Sequence, residues 1–186
     1  MAGKPFNAFE AGAAAGPYDE CPMLLADVDP QLHVSRNDKP QPFHLICEKD
    51  CVLVQMSGEA NVEFTEGNVR YFTMEPGDFV YVPAGMPHRI VPLTTSIQYR
   101  FKAREAGLEG VAWFCPDCGS DLLRQEWDTA VTLPQDGYIE ACKIFNQSKR
   151  DRTCASCGEV HPEIDLSPYR WETIATEIKE DRAEHA

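Results

Sequence analysis

The stretch from Val52 to Lys102 constrains the fold of this chain more strongly than the rest of the sequence. It alternates short runs of β-branched and aromatic residues with glycine, proline and asparagine at close intervals, and it shows no helical periodicity. Short strands separated by turn residues are typical of an antiparallel sandwich or barrel. We therefore predict an all-β fold, and 186 residues are enough to bury its core.

The acidic composition narrows the range of partners. A formal net charge of −13 repels phosphate backbones and anionic lipid headgroups. No apolar run reaches the roughly 18 residues of a membrane helix, and the N-terminal residues lack the basic and apolar regions of a secretion signal. We expect a cytoplasmic protein that binds a small molecule and neither nucleic acid nor a membrane.

Four of the eight cysteines form two CxxC pairs, "CPDC" and "CASC", and a glycine follows each pair. Without a secretion signal, such pairs are more typical of a metal site than of a disulfide framework. Two thiolate-presenting turns can close a tetrahedral four-sulfur site for zinc or for a single rubredoxin-like iron. The sequence therefore predicts a metal centre on Cys115, Cys118, Cys154 and Cys157.

A histidine follows a turn in "PGDFVYVPAGMPHRI", where Pro83 and Gly85 bracket the turn and His88 comes directly after it. The pattern Gly77-x5-Pro83-x-Gly85-x2-His88 resembles the second sequence motif of the cupin superfamily. Cupins are small β-barrels that hold a metal inside the barrel mouth. The resemblance implies that His88, together with His44 upstream, is a ligand of that metal.

The chain as a whole resembles the bacterial type of 3-hydroxyanthranilate 3,4-dioxygenase over roughly residues 20 to 162. The segments that carry the resemblance are "GDFVYVPAGMPH", "WFCPDCG" and "CASCGEVHP". That family uses Fe(II), held by two histidines and one carboxylate, to bind an aminophenol and O₂ and to open the ring. The resemblance implies a cupin barrel that holds Fe(II) and a four-cysteine site that holds Fe or Zn. It also implies a small-molecule substrate with O₂, and a homodimer.

Two alignments compete for the third ligand of the barrel metal. Counting from the histidines gives Asp50, whereas counting back from Gly58 gives Cys51, which lies on the same strand face as Gln55. Adjacent strand residues face opposite sides, so only one of the two candidates points inward unless a bulge intervenes. A carboxylate suits Fe(II) better than a thiolate does, which favours Asp50. Glu48 is the alternative if the preceding loop is rearranged.

The predicted pocket departs from the family pattern. The family binds its substrate's carboxylate with two arginines and the amine with a glutamate, but Pro40, Pro92 and Arg100 stand at these positions. Because a guanidinium matches a carboxylate, an acidic substrate group near Arg100 is expected, unless Arg100 is a structural ion-pair partner. We assign Arg100 and Gln55 as candidate catalytic residues.

The sequence divides into three predicted parts. They are a cupin barrel with an N-terminal arm (1–104), a metal module (105–162) entered through the linker-like "EAGLEGVAW", and a C-terminal helix with its tail (163–186). In the helix, Ser167 is the expected N-cap and Pro168 the first helical residue. Trp171, Ile174 and Ile178 follow at helical spacing, which predicts that the helix docks by one face.

The function that these patterns favour is that of a non-heme iron dioxygenase with an altered pocket. One alternative is a metal-dependent cupin isomerase, lyase or hydrolase. The other is a ligand-binding cupin without catalytic activity.

Overall fold

The computed structural model describes residues 7–15, 18–25 and 27–184, and its centre is a pair of antiparallel sheets. The elements in chain order are α1 Ala8–Ala14, β1 Asp19–Pro22, β2 Gln31–Asn37, β3 His44–Cys47, β4 Cys51–Ser57, β5 Ala60–Phe64, β6 Tyr71–Met74, β7 Phe79–Val82, β8 His88–Pro92, β9 Ser96–Lys102, β10 Leu108–Phe114, β11 Asp121–Asp128, α2 Pro134–Gln147, α3 Lys149–Arg152 and α4 Trp171–Glu184. The first sheet has the order β1-β2-β9-β4-β7 and the second β11-β10-β3-β8-β5-β6. The predicted all-β cupin fold is confirmed.

The strands predicted between residues 52 and 102 are present, and glycines shape the turns between them. Gly58 follows β4 with a φ of +65°, and a Cβ at this position would lie 2.3 Å from the backbone oxygen of Thr95. Only glycine fits such a close approach. Gly85, with a φ of +75°, turns the chain between β7 and β8 and so places His88 at the start of its strand.

The interpretation of residues 105–113 as a linker is wrong for most of its length. Leu108–Phe114 forms β10, which pairs with β3 on one side and with β11 on the other. Val111 and Trp113 are buried in the core. The cysteine-bearing segment is therefore continuous with the barrel sheet, and the division of the chain at residue 104 stays a prediction.

The C-terminal helix α4 begins at Trp171, so the expected start at Ser167 and Pro168 is wrong. Residues 166–169 form a turn instead, in which the N–H of Tyr169 donates to the carbonyl of Leu166. The predicted docking face is confirmed, because Trp171 is buried in the core. Residues 1–6 of the predicted arm and residues 185–186 of the tail lie outside the described residues. None of the described helices is long and apolar enough to cross a membrane.

Candidate active site and metal centre

The inward-facing side chains of the first sheet form a polar row inside the barrel. Successive strand residues face opposite sides of a sheet, and in β9 the alternate residues Gln98, Arg100 and Lys102 are all buried. Arg100 pairs in register with His33 on β2 and with Leu53 on β4. The barrel interior therefore carries charged groups, which must be paired in order to lie away from water.

His88 begins β8, and its ring is fully buried. Nη1 of Arg100 lies 2.8 Å from Nε2 of His88. The guanidinium is the hydrogen-bond donor, because it carries no acceptor atom. Nδ1 of the same ring lies 3.0 Å from the carbonyl oxygen of Met86 and donates its proton there. This geometry places the ring proton on Nδ1, so the Nε2 lone pair is already used by Arg100.

Arg100 also belongs to a buried network of ion pairs. Its Nε lies 3.3 Å from Oε2 of Glu20. Nζ of Lys102 lies 2.7 Å from Oε1 of Glu109 and 3.7 Å from Oε1 of Glu20. Burial alone would raise the pKa of Glu20, but Arg100 and Lys102 lower it to about 2. Two buried cations thus face two buried carboxylates, which supports the interpretation of Arg100 as an ion-pair partner.

Cys51 is the inward-facing residue at the start of β4, and it is 2% exposed. A hydrogen bond from the Cys47 thiol, followed by the charge of Arg100, lowers the pKa of Cys51 below its usual value although burial acts in the opposite direction. Sγ of Cys51 lies 3.4 Å from Nη1 of Arg100. These neighbours favour a thiolate next to the guanidinium.

Asp50 and Glu48 lie at the surface. Asp50 is exposed, and its Oδ1 accepts a hydrogen bond of 2.8 Å from the backbone N–H of Ala84. Glu48 is exposed as well, and it accepts a backbone N–H at the start of β10 over 2.7 Å. The structure brings Cys51, but neither carboxylate, close to His88. Which residue is the third ligand stays a prediction.

Leu45 occupies the position on β3 that faces the barrel interior, and His44 does not. Leu45 stands directly opposite His88 in the register and is fully buried. His44 precedes it and points to the other face, where its ring meets that of Phe114 edge-on at a centroid distance of 4.9 Å. Burial there, with Arg89 nearby, lowers the pKa of His44 to about 3. The structure therefore does not bring the two predicted histidine ligands together.

The remaining predicted pocket positions are dispersed. Gln55 is fully buried, and its amide nitrogen donates to the carbonyls of Ser57 and Gly58 over 2.9 and 3.1 Å. Pro40 is exposed, and Pro92 ends β8 partly buried. In this arrangement Gln55 fixes the backbone at the turn after β4. Its assignment as a catalytic residue stays a prediction.

A cavity of about 560 Å³ lies beside the strand ends where β2 begins and β9 ends. Its lining includes His33, Lys102 and Glu109 of the barrel interior and Gln135 at the start of α2. Oε2 of Glu109 and Oε1 of Gln135 are buried without a hydrogen-bond partner in the described part of the chain. A cavity of this size with a few unpaired polar atoms suits a small-molecule ligand.

The four predicted cysteine ligands converge on one point. Their sulfur atoms all lie within 4.8 Å of one another, and the pairs Cys115–Cys157 and Cys118–Cys154 are each separated by 3.5 Å. A tetrahedral site with metal–sulfur bonds of about 2.3 Å requires sulfur atoms roughly 3.8 Å apart. The residues therefore fit a four-sulfur metal centre. Within residues 7–15, 18–25 and 27–184, no second group of three or more His, Cys, Asp or Glu ligand atoms converges in this way.

Comparisons with known proteins agree with this architecture. A family model described as a JmjC domain matches residues 54–109. The curated 3-hydroxyanthranilate 3,4-dioxygenase of Jannaschia sp. (strain CCS1) is 28% identical over 162 residues, which are 84% of this chain and 84% of the relative. The chain is thus similar in sequence to a curated member of the 3-hydroxyanthranilate 3,4-dioxygenase family. The dioxygenase of that name from Shewanella woodyi (strain ATCC 51908 / MS32) is 24% identical over 133 residues, which are 69% of each chain.

Among solved structures, the hydroquinone 1,2-dioxygenase from Sphingomonas sp. TTNP3 with 4-hydroxybenzoate bound aligns with a TM-score of 0.46 at 14% identity. The alignment covers 52% of this chain and 73% of that chain.

The barrel interior of this chain does not fit the iron site that the resemblance to the family implies. A facial triad requires two neutral imidazoles and one carboxylate on the same side of the metal. Here one imidazole is bonded to Arg100, the other lies on the outer face, and the inward residue of β4 is a cysteine. The four cysteines are the described residues that fit a metal.

Sequence reasoning missed the carboxylates and the lysine that surround Arg100. Lys102 lies two residues from Arg100 on the same strand face, so the alternation of β9 could have indicated it. Glu20 and Glu109 lie on distant strands, β1 and β10. No local pattern connects them with Arg100, because only the folding of both sheets brings them together.

Proposed function

We propose that this chain is an oxygenase that acts on a small aromatic substrate in the barrel, with O₂ as the co-substrate. The supporting observation is the extent of the similarity, since the 162 aligned residues cover 84% of a curated dioxygenase. Members of that family bind a catecholic aminophenol. The proposed reaction does not depend on an iron ion in the barrel, because the residues inside the barrel do not fit an iron site.

The charges around Arg100 indicate the kind of substrate. Nη2 of Arg100 is buried and has no hydrogen-bond partner among the described residues, whereas the other guanidinium nitrogens face Glu20, Cys51 and His88. An ionised carboxylate or phenolate oxygen can accept from Nη2 in a charge-assisted hydrogen bond. His33, which pairs in register with Arg100, lines the neighbouring cavity together with Lys102 and Glu109. We propose that the acidic group of a ligand in this cavity reaches Nη2. The proposed substrate is therefore an aromatic compound with an acidic group.

3-Hydroxyanthranilate itself should be a poor substrate. Its amine would meet the guanidinium of Arg100, and its carboxylate would lack the two arginines for which this chain has Pro40 and Pro92. Each lost charge-assisted hydrogen bond costs about 1.5–3 kcal/mol, so two such losses lower the affinity by more than about a hundred-fold.

Oxygen uptake by the purified chain tests the proposal. The panel contains 3-hydroxyanthranilate, 2,5-dihydroxybenzoate and the methyl ester of the latter. We expect uptake with the free acid, much less with its ester, and little with 3-hydroxyanthranilate. Arg100→Gln should abolish the preference for the acid over the ester. The control Arg124→Gln, at an exposed position on β11, should leave it unchanged.

The second candidate is a ligand-binding cupin without redox chemistry. The observation that favours it is the hydrogen bond between Arg100 and Nε2 of His88, which leaves His88 without a free lone pair for a metal. Binding of the aromatic acid without any oxygen uptake would support this candidate and contradict the oxygenase.

A further inference from the structure

We infer that the guanidinium of Arg100 takes the place of a metal ion inside the barrel, so that the protein carries one metal per chain and carries it on the four cysteines. The inference goes beyond the proposed function, because it concerns the cation at the centre of the barrel and not the reaction. It holds whether or not the barrel consumes oxygen.

The first observation concerns the lone pair of His88. A neutral imidazole binds a metal through the ring nitrogen that carries no proton. The proton of His88 is on Nδ1, which faces the carbonyl of Met86, and the free lone pair is on Nε2. Nη1 of Arg100 lies 2.8 Å from that lone pair. A metal could bind His88 only after Arg100 had moved away.

The second observation concerns the residues around His88. Leu45, which has no ligand atom, stands directly opposite His88 on β3 and is fully buried. The inward residue at the start of β4 is Cys51, whose sulfur lies 3.4 Å from the same Nη1. Two potential ligands of a metal, one nitrogen and one sulfur, thus both contact a single guanidinium nitrogen.

The third observation is the balance of buried charge. Glu20 and the Cys51 sulfur face Arg100, and Glu109 faces Lys102. The two buried carboxylates are therefore already paired with two side-chain cations. A divalent ion added next to the buried guanidinium would be repelled strongly, because charges interact more strongly in the protein interior than in water.

Metal analysis of the full chain tests the stoichiometry. The protein is incubated anaerobically with excess Fe(II), or separately with Zn(II), desalted, and analysed for metal per chain. We expect one equivalent in the wild type and in His88→Gln, and close to none in Cys115→Ser/Cys154→Ser. A second equivalent in the wild type that disappears in His88→Gln would overturn the inference.

A spectroscopic readout on the wild type does not depend on how well the cysteine variant folds. Long-range ¹H–¹⁵N correlation spectra of ¹⁵N-histidine-labelled protein report the tautomer of His88 and any metal bound to its ring. We expect an Nδ1–H tautomer whose Nε2 resonance does not move when Zn(II) is added beyond one equivalent.

The variant Arg100→Gln tests whether the guanidinium is what excludes the metal. Removing it frees Nε2 of His88 and the Cys51 sulfur, which together offer two zinc ligands. We expect the Nε2 resonance of His88 to move on addition of Zn(II) in Arg100→Gln and to stay in place in the wild type. A resonance that moves in both proteins, or in neither, would overturn the role given to Arg100. Oxygen uptake is measured separately, so failure of the proposed oxygenase function remains distinguishable from failure of this inference.

Discussion

Arg100 lies among side chains whose charges depend on one another. Glu20 keeps its negative charge inside the barrel because Arg100 and Lys102 are close, and His33 stays neutral in the same surroundings. Removing one member of a buried ion pair leaves the other charge unpaired and typically costs about 3–5 kcal/mol. Single substitutions at Arg100 or Glu20 are therefore expected to lower the free energy of unfolding as well as change ligand binding.

His33 gives this residue cluster a measurable pH dependence. Burial, and then the charge of Lys102, lower the pKa of His33 to about 3 in the folded chain, against a usual value of 6.5. Below pH 6.5, His33 is therefore protonated in the unfolded chain, whereas in the folded chain it stays neutral until the pH falls to about 3. The contribution of His33 to stability is complete above pH 6.5 and is lost as the pH falls towards 3.

We expect the free energy of unfolding of the wild type to fall more steeply with decreasing pH than that of His33→Gln. Between pH 6 and 4.5 the difference in slope should be about 1.4 kcal/mol per pH unit, the value for one proton. Urea denaturation of both proteins at several pH values measures it. Equal slopes would show that His33 titrates in the folded chain as it does in the unfolded chain.

At the scale of elements, the two cysteine turns are near copies of each other. The N–H of Gly119 donates to the carbonyl of Cys115 and the N–H of Gly158 to that of Cys154, each over 2.9 Å, and both glycines have positive φ values of +73° and +82°. The first turn joins β10 to β11 and the second follows α3. A metal bound between them ties the end of the barrel sheet to the helical segment.

Cys115→Ser/Cys154→Ser should lose about one metal equivalent and melt at a lower temperature than the wild type. The reason is that binding free energy at a structural thiolate site adds directly to folding stability. Elemental analysis and thermal denaturation check the two effects, and Cys142→Ser, at a buried cysteine outside the cluster, is the control for metal content. Unchanged metal content would contradict the predicted centre.

Helix α2 packs on β11 through Gly137, and this contact is also testable. A Cβ at Gly137 would lie 2.3 Å from the ring of Trp127, which is too close for a rigid aromatic side chain.

Alanine normally stabilises a helix interior by about 1 kcal/mol relative to glycine. Gly137→Ala is nevertheless expected to destabilise the protein by about 1–3 kcal/mol, because the helix must move away from the strand. Urea denaturation measures the change, and Glu140→Ala on the exposed side of α2 serves as the control. A more stable Gly137→Ala protein would contradict the packing.

At the scale of the whole molecule, one aromatic cluster joins distant parts of the chain. Trp171 of α4 lies 5.9 Å from Phe43 and 5.4 Å from Tyr138 between ring centroids. Its indole N–H donates to the carbonyl of Tyr18 over 3.2 Å. These residues come from the segment before β1, the segment before β3, and the helices α2 and α4. The barrel and the helices therefore share one continuous hydrophobic core.

Trp171→Ala should lower the free energy of unfolding by about 3–5 kcal/mol, the usual cost of removing a large buried aromatic side chain. Because the cluster spans the chain, we also expect a single thermal transition. Near-UV and far-UV circular dichroism should report the same midpoint. Two separate transitions would instead support an independently folding metal module at residues 105–162.

The sequence by itself determined the local features of this protein. The strands between residues 52 and 102, the turn before His88 and the two CxxC pairs follow from residue patterns that act over a few positions. The docking face of α4 followed in the same way from helical spacing, although the helix start did not. The homodimer, the cytoplasmic location and the ligand roles of His44 and Asp50 stay predictions.

Only the tertiary structure decided what lies inside the barrel. Whether His44 or Leu45 faces inward depends on strand register, and a shift of one residue exchanges the two faces of a strand. Glu20 and Glu109 meet Arg100 and Lys102 only when β1 and β10 close around β9. Buried charge pairs arise between residues far apart in sequence, so no local pattern could show that a guanidinium and an imidazole share the centre of the barrel.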